Sequence, residues 1–118
     1  MTVDADSFAR DWIAAWNARD LGAILSHYAA DIVFLSPYAE HVIGTGRVEG
    51  LDALRAYWRT GLDANPELHF EFEAVLTGYG ALTILYRNHR RQQVAETVEF
   101  DESSRVIRSF ACYGSQSG

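Results

Sequence analysis

The sequence predicts an α+β domain in which helices near the amino terminus pack on a curved antiparallel sheet. Apolar residues in the first half recur with the 3.6-residue period of helices, whereas after residue 66 they alternate with the 2-residue period of strands. Short turn-forming stretches separate the alternating segments, so consecutive strands should be antiparallel neighbours. Helices followed by a strand meander favour α+β over α/β architecture.

The first half should contain three helices. The first is expected over residues 6–18 and the third over residues 51–64, each with an apolar stripe on one face. Between them, Asp20 can cap a short second helix whose apolar side extends to Tyr28. Residues 29–31 then read as a turn.

The strands follow from alternation and from turn signals. A first strand is expected over residues 32–36, where Pro37 ends it because proline cannot donate to a ladder. Residues 38–49 read as a loop with a possible short strand in its middle. The four later strands are expected over residues 68–76, 82–86, 94–100 and 105–113.

Composition and charge narrow the functional classes. The 118 residues suit a single domain, which we expect over 1–118. The formal net charge of −6 disfavours nucleic acid as a partner, because phosphate binding needs a basic face. The chain has neither the ~18-residue apolar run of a membrane span nor a signal-peptide pattern. Because Cys112 is the lone cysteine, we expect a reduced cytoplasmic location.

The sequence predicts neither a metal site nor a cofactor site. The histidines lack metal-ligand spacing, and the glycine pair at 44 and 46 does not follow a strand into a helix as a dinucleotide fingerprint does. His41 is the one histidine that we consider for a pocket, since the loop after the first strand could form its rim. The hairpin tip at 87–91 is basic and is expected to be solvated.

One acidic residue interrupts the apolar face of the predicted sheet. Glu96 shares a strand face with Val94, Val98 and Phe100, since strand faces repeat every second residue. Burial there would raise its pKa and make Glu96 a candidate for acid–base chemistry or for binding a polar ligand group. Two structural roles stay open. Glu96 could accept a hydrogen bond from a Trp or Tyr of the helices, or it could lie at a wet, open end of the sheet.

Four segments of the chain resemble a known family. They are WIAAWNARDL at 12–21, YAADIVF at 28–34, GLDALRAYW at 50–58 and VEFDESSRVI at 98–107. They are similar to the nuclear transport factor 2-like superfamily, in its SnoaL-like and ketosteroid isomerase-like branch. The resemblance implies a cone-shaped fold of order ααβ(β)αββββ, with a strongly curved mixed or antiparallel sheet and a pocket at the wide end. It says little of function, because the superfamily holds isomerases, cyclases, hydrolases and non-catalytic binders.

The resemblance also implies three catalytic positions. Ser36 stands where the isomerases have a carboxylate base before a proline, and a hydroxyl is too weak a base to replace it. Trp12 stands where a tyrosine donates to an oxyanion, and its indole N–H can only donate. Glu96 matches the neutral acid of a late strand. Steroid isomerisation by the known mechanism is therefore not expected.

Two functions remain open from the sequence. The first is a cofactor-independent enzyme of isomerase, cyclase or lyase type that acts on an apolar, ring-bearing molecule, with Glu96 as acid or base. The second is a non-catalytic ligand-binding or dimerisation module. The residues considered for the pocket lining are Trp16, Tyr28, Phe34, Tyr38, His41, Tyr57, Trp58, Phe70 and Tyr86.

The resemblance further implies a homodimer formed through the outer face of the sheet. Strand faces that mix apolar and charged residues suit a partner better than bare water. The expected members of this face are Thr83, Leu85, Arg87, Val106, Arg108, Phe110 and Cys112.

Overall fold

The computed structural model describes residues 3–115, so the predicted domain bounds of 1–118 extend beyond the described residues at both ends. The described part contains four helices and a six-stranded sheet. The helices are α1 (Ala5–Asn17), α2 (Leu21–Leu25), α3 (Pro37–Ile43) and α4 (Leu51–Ala64). The strands are β1 (Tyr28–Leu35), β2 (Arg47–Glu49), β3 (Glu71–Gly78), β4 (Ala81–Arg87), β5 (Gln93–Phe100) and β6 (Val106–Tyr113). The predicted α+β class is confirmed.

The sheet has the strand order β2-β1-β6-β5-β4-β3. Strands β3 to β6 form the predicted antiparallel meander, whereas β1 pairs in parallel with β6. This parallel pairing attaches the amino-terminal part of the chain to the last strand. It leaves one face of the sheet for the helices and an open edge at β3.

The helices form where capping residues and apolar stripes agree. Asp4 accepts a hydrogen bond from the backbone N–H of Ser7 at the start of α1, and Asp20 accepts from Ala23 at the start of α2. Gly50 precedes α4 with φ of 92°, in the left-handed region that favours glycine. The stripes of α1 and α4 are buried against the sheet, as predicted.

The predicted loop over 38–49 is wrong, because this stretch holds α3 and β2. Ser36 caps α3, its hydroxyl accepting from the backbone N–H of Tyr38 at 3.3 Å. Pro37 occupies the first turn of the helix, where its missing N–H costs nothing. Gly44 ends the helix with φ of 84°. The proline that stops β1 therefore also starts a helix.

The first strand begins earlier than predicted. Tyr28 opens β1 instead of closing the apolar side of α2, and residues 29–31 belong to the strand instead of a turn. The pairing of β1 with β6 shifts register between Tyr28 and Val33. This irregularity lets residues 29–31, which resemble a turn in sequence, remain part of the strand.

Two further register shifts change which side chains face the helices. In β3 the shift lies between Phe72 and Ala74, so Val75 pairs with the inward Ile84. In β6, Val106 is fully buried, so its predicted place on the outer face is wrong. The physical reason is that one extra residue in a strand reverses the side on which its neighbours point. The outer face of β6 retains Arg108, Phe110 and Cys112.

Candidate functional site

A cavity of about 290 Å³ lies between the inner face of the sheet and the helices. Phe, Trp and Tyr are the largest group among its lining residues, and the hairpin between β4 and β5 contributes polar ones. The sequence-predicted site residues that line it are Trp12, Trp16, Phe34, Tyr38, Tyr57, Trp58, Phe70, Tyr86 and Glu96. The fold thus gathers residues from three helices, three strands and the segment before β3, which are far apart in the sequence.

Three other candidates lie outside the cavity lining. Tyr28 is buried behind the wall, where its hydroxyl accepts a hydrogen bond from Trp12. Ser36 is buried and serves as the cap of α3. His41 is exposed on the last turn of α3.

The cavity also contains residues that the sequence reasoning missed. Tyr113 lines it, and the alternation of β6 places Tyr113 on the same face as the buried Ser109, so this signal was readable. Asn88, His89 and Arg90 line it from the β4–β5 hairpin tip. Strand alternation does not extend into a turn, so no local pattern could locate these three residues.

Glu96 lies on the inner face of β5 and is 3% exposed. The Ser109 hydroxyl on the neighbouring strand donates to its Oε2 atom at 2.6 Å. The donor therefore comes from β6, not from a helix aromatic. Because Oε2 is engaged with a side chain behind the wall, Oε1 is the oxygen left to meet a molecule in the cavity.

Burial raises the pKa of Glu96 from 4.5 to about 8, although the hydrogen bond from Ser109 acts in the opposite direction. At neutral pH the carboxyl group is therefore mostly protonated. Four phenols around it also have raised pKa values, for which burial is the largest cause and the charge of ionised Glu96 a further one. They are Tyr28, Tyr57, Tyr86 and Tyr113.

Trp12 contributes its ring to the cavity and its N–H to the core. The indole Nε1 donates to the hydroxyl of Tyr28 at 3.0 Å. The ring packs against Phe70 and Tyr86, with centroids 6.0 and 5.5 Å away. Because its N–H already has a partner, Trp12 is not available as a direct donor to an oxyanion.

Helix α3 forms part of the cavity entrance. The ring of Tyr38 meets Tyr113 edge to face, with centroids 4.4 Å apart, and its hydroxyl donates to Gln92 at 3.2 Å. Val42, one turn further along the helix, lines the cavity and is 55% exposed. The helix that the sequence did not predict is thus the element that borders the opening.

Two buried polar atoms in the described part of the chain lack a hydrogen-bond partner. They are Nε1 of Trp16 and Nδ1 of His89, and both residues line the cavity. An unpaired buried group of this kind costs roughly 1–3 kcal/mol. A polar group supplied by a bound molecule would be stabilising at either position.

Within residues 3–115, no cluster of three or more His, Cys, Asp or Glu side chains is arranged to hold a metal ion. Over the same residues, no helix is both long and apolar enough to cross a membrane.

Comparison with known families bears on the predicted resemblance. Residues 9–111 match the family described as the SnoaL-like domain. The chain belongs to this SnoaL-like family. No curated protein shows a significant match.

Solved structures agree with the SnoaL-like assignment. A SnoaL-like protein of unknown function from Burkholderia thailandensis is 39% identical, with a TM-score of 0.91, over 98% of this chain and 100% of that one. A nuclear transport factor 2-like protein of unknown function from Burkholderia pseudomallei is 15% identical, with a TM-score of 0.77, over 96% and 92% of the two chains. TerC, co-crystallised with polyporic acid, is 12% identical, with a TM-score of 0.76, over 94% and 92%. The resemblance inferred from the sequence is confirmed.

The geometry of this SnoaL-like chain permits a limited set of chemical actions. A protonated carboxyl group in an aromatic cavity can donate a hydrogen bond or a proton, and after losing its proton it can take one back. Glu96 is the one carboxyl group among the described residues that line the cavity. Proton transfer by a carboxyl group of the described lining would therefore involve Glu96.

Proposed function

We propose that this SnoaL-like protein binds a small, apolar, ring-bearing molecule in the cavity and that Glu96 is the acid or base that acts on it, without a metal or an organic cofactor. One observation carries the proposal. A carboxyl group whose pKa is raised to about 8 lines a cavity that is rich in aromatic side chains. Perturbed titratable groups in apolar pockets are frequent at functional sites.

The size of the cavity supports a small ligand. Its volume of about 290 Å³ lies just below the range of roughly 300–1,000 Å³ that is typical of ligand pockets. Aromatic walls favour flat rings, which stack on them or meet their edges. The co-crystallisation of TerC with polyporic acid is a precedent for a small-molecule ligand on a chain of this fold.

The chemistry that one carboxyl group supports is a proton transfer of isomerase, cyclase or lyase type. A group with a pKa near the working pH can give a proton to a substrate oxygen and recover one from another atom. The steroid isomerase mechanism needs a separate carboxylate base at the position of Ser36. That residue is buried as the cap of α3, so we do not propose that mechanism.

A non-catalytic binding function is the second candidate. It is favoured by the observation that the described cavity lining contains no second carboxyl group beside Glu96. In this case Glu96 and the unpartnered N–H of Trp16 orient a ligand by hydrogen bonds. The protein would then bind its ligand without changing it.

The substitution Glu96→Gln separates the two candidates, because glutamine keeps the shape and the acceptor oxygen for Ser109 but cannot transfer a proton. The probe is 1-indanone, a small bicyclic ketone, and the measurement is deuterium exchange at its α-carbon in D₂O, followed by NMR. For an enzyme, the substitution should reduce the protein-dependent exchange by roughly 10²- to 10⁴-fold.

The matched control is Glu99→Gln, on the outer face of the same strand, which should leave the exchange rate unchanged. Binding of 1-indanone without any protein-dependent exchange would support the non-catalytic candidate. Exchange that persists unchanged in Glu96→Gln would exclude Glu96 as the acid or base.

We also propose that the outer face of the sheet forms a homodimer. The strand registers align one row of side chains across five strands of this face. The row consists of Leu35, Phe110, Thr97, Thr83 and Leu76. Leu76 is 56% exposed at its end, and a second copy of the face would bury it together with the rest of the row.

The oligomeric state tests this interface directly. Sedimentation should give twice the mass of one chain, and Thr97→Arg at the centre of the row should give the mass of one chain, because it buries an unpaired charge. Asp63→Arg, on an exposed turn of α4, is the control and should leave the dimer intact. A wild-type protein that sediments as a monomer at about 100 μM would refute the interface.

A further inference from the structure

The cavity carries its acid and its cation at different places. Among the described lining residues, Glu96 is the one carboxyl group and Arg90 the one arginine. Arg90 is exposed in the turn before β5, whereas the buried Glu96 lies three residues beyond Gln93, the first residue of β5. At roughly 3.3 Å per strand residue, Glu96 is about 10 Å from the start of its strand. The hairpin end of the cavity is therefore cationic and distant from the acid.

Hydrogen bonds fix the turn that carries Arg90. The Oδ1 atom of Asn88 accepts from the backbone N–H groups of Arg90 and Gln92, each at 3.0 Å. The side chain of the buried Gln92 accepts from the hydroxyl of Tyr38 at 3.2 Å and donates to the carbonyl of Gly114 at 2.9 Å. These bonds connect the turn to α3 and to the residue after β6. The backbone from which the Arg90 side chain extends is thus held in place.

The end of α4 positions the guanidinium group of Arg90. The side-chain amide of Asn65 donates to the carbonyl of Gly61 at 2.8 Å, and its Oδ1 atom accepts from Nη2 of Arg90 at 3.3 Å. Asn65 and Gly61 also line the cavity. A guanidinium group has five N–H donors in a planar arrangement. One contact with a neutral amide therefore orients Arg90 at the cavity edge and leaves other donors for a bound molecule.

The hairpin end of the cavity contains polar groups without a matching partner. Among residues 3–115, Arg90 forms no ion pair, and its side chain donates only to Asn65. The adjacent His89 also lines the cavity, and its buried Nδ1 atom has no hydrogen-bond partner in the same range. The last carbonyls of α4 do not need Arg90, because Arg19 donates to those of Leu62 and Asn65. The positive charge of Arg90 is therefore left without an anion.

We propose that Arg90 binds a carboxylate group of the ligand at the hairpin end of the cavity, while the ring of the ligand lies among the aromatic side chains. This inference rests on the proposed function, since it specifies the class of molecule in the same cavity as a ring-bearing acid. A guanidinium group matches a planar carboxylate with two parallel N–H donors. One arginine balances one negative charge, which suits a carboxylate better than a doubly charged phosphate.

The same reasoning gives the orientation of the ligand. A carboxylate placed near Glu96 would leave water without gaining a cation, which is unfavourable. A carboxylate at Arg90 stays close to solvent and gains an opposite charge. The acidic group should therefore lie at the hairpin end, and the uncharged part of the ligand should extend towards Glu96.

Two probes of equal shape test the site. They are 2-naphthoate and 2-naphthamide, which share a ring system and differ in charge. At about pH 6.5 the carboxylate of the first is ionised. Calorimetry on the wild type should show tighter binding of 2-naphthoate by a factor of roughly two to ten, because the charged pair is partly exposed. Arg90→Gln should abolish this preference, and salt at about 1 M should reduce it in the wild type.

Arg91→Gln is the matched control. It removes the same charge from the next residue of the turn, which is exposed and does not line the cavity. It should keep the preference for 2-naphthoate. In Arg90→Gln, unchanged affinity for 2-naphthamide would show that the cavity is intact. A preference that survives Arg90→Gln, or one that both variants lose equally, would overturn the site at Arg90.

A second measurement locates the contact. In ¹⁵N-labelled protein, the Nε–H signal of Arg90 is assigned by its loss in Arg90→Gln. It should shift on addition of 2-naphthoate and shift much less with 2-naphthamide. An unmoved signal in the presence of bound 2-naphthoate would overturn the inference. Binding of both probes with equal affinity would overturn this inference alone, whereas failure of both to bind would overturn the proposed function together with it.

Discussion

Glu96 and Glu99 lie three residues apart on β5, and the sheet separates their environments. Glu96 points towards the helices, is 3% exposed and has a serine as its hydrogen-bond donor. Glu99 points outward, and its carboxylate pairs with Arg108 at 3.3 Å while its side chain stays 43% exposed. Two glutamates on one strand thus lie in different environments, one buried and one open to solvent.

The two glutamates differ chiefly in their access to water, and a single neutral hydrogen-bond donor does not offset burial at Glu96. An exposed carboxylate is solvated by water, and an ion pair there adds little, about 0–1 kcal/mol. A buried carboxylate with a neutral donor retains most of the cost of leaving water. Among residues 3–115, no cationic side chain contributes to the pKa of Glu96, for which burial and the hydrogen bond from Ser109 are the causes. The carboxyl group on the inner face of the sheet is therefore neutral at pH values below its raised pKa.

The largest expected effect is a loss of stability as Glu96 ionises. The folded pKa of about 8 exceeds the ordinary value of 4.5, so between these values the folded state holds a proton that the unfolded state has released. The free energy of unfolding should therefore fall as the pH rises from 4.5 to 8, by roughly 5 kcal/mol at most. Urea unfolding at several pH values measures this slope, and Glu96→Gln should remove its contribution.

The control for this slope is Glu99→Gln, which keeps Glu96 and should keep its contribution. The four tyrosines near Glu96 have pKa values raised above their ordinary range, so they do not titrate in this window. His89 also lines the cavity, but the wild type and both variants contain it. Its contribution is therefore the same in all three proteins when their slopes are compared. Equal slopes in the wild type and in Glu96→Gln would show that Glu96 is not a neutral acid.

A smaller effect is expected from removing an aromatic wall. Trp58 is 6% exposed, and its ring meets Trp16, Tyr28 and Phe34 at 5.0, 5.5 and 5.3 Å. Trp58→Ala should lower the free energy of unfolding by about 3–5 kcal/mol, because the removed ring leaves a larger void. Chemical denaturation monitored by circular dichroism measures the loss.

The matched change on the outer face is Leu76→Ala, which should alter stability by less than about 0.5 kcal/mol in the monomer. A loss comparable to that of Trp58→Ala would contradict the assignment of Leu76 to an exposed surface. A concentration-dependent loss for Leu76→Ala would instead connect this position to the proposed dimer.

The sequence predicted some elements well because local signals and tertiary packing agree in them. Helix α4 occupies the predicted residues 51–64, and its stripe is buried. Strand alternation correctly placed Glu96 on the inner face. The prediction failed for α3 although its signals were present, since Ser36 and Pro37 form a helix start and Gly44 a helix end. Pro37 was interpreted only as the end of a strand, so its place in the first turn of α3 was missed.

Other features depend on alignments between strands that no local pattern contains. The face of Val106 was predicted wrongly, because an extra residue in β6 reverses the alternation before it. The polar end of the cavity was missed because the turn at 88–90 reaches the end of α4, where the exposed Arg90 donates to Asn65 at 3.3 Å. Sequence spacing carries no information on such long-range contacts.

The sequence by itself therefore determined that one acid faces an apolar interior on β5, because side chains alternate along any strand. Only the tertiary structure decided what surrounds that acid. The register between β5 and β6 brings Ser109 to its Oε2 atom, and the positions of α3 and the β4–β5 hairpin leave a cavity open instead of a packed core. The physical reason is that the two-residue period of a strand sets the side of the sheet on which each side chain lies. The distance between two segments, in contrast, depends on the packing of the whole chain.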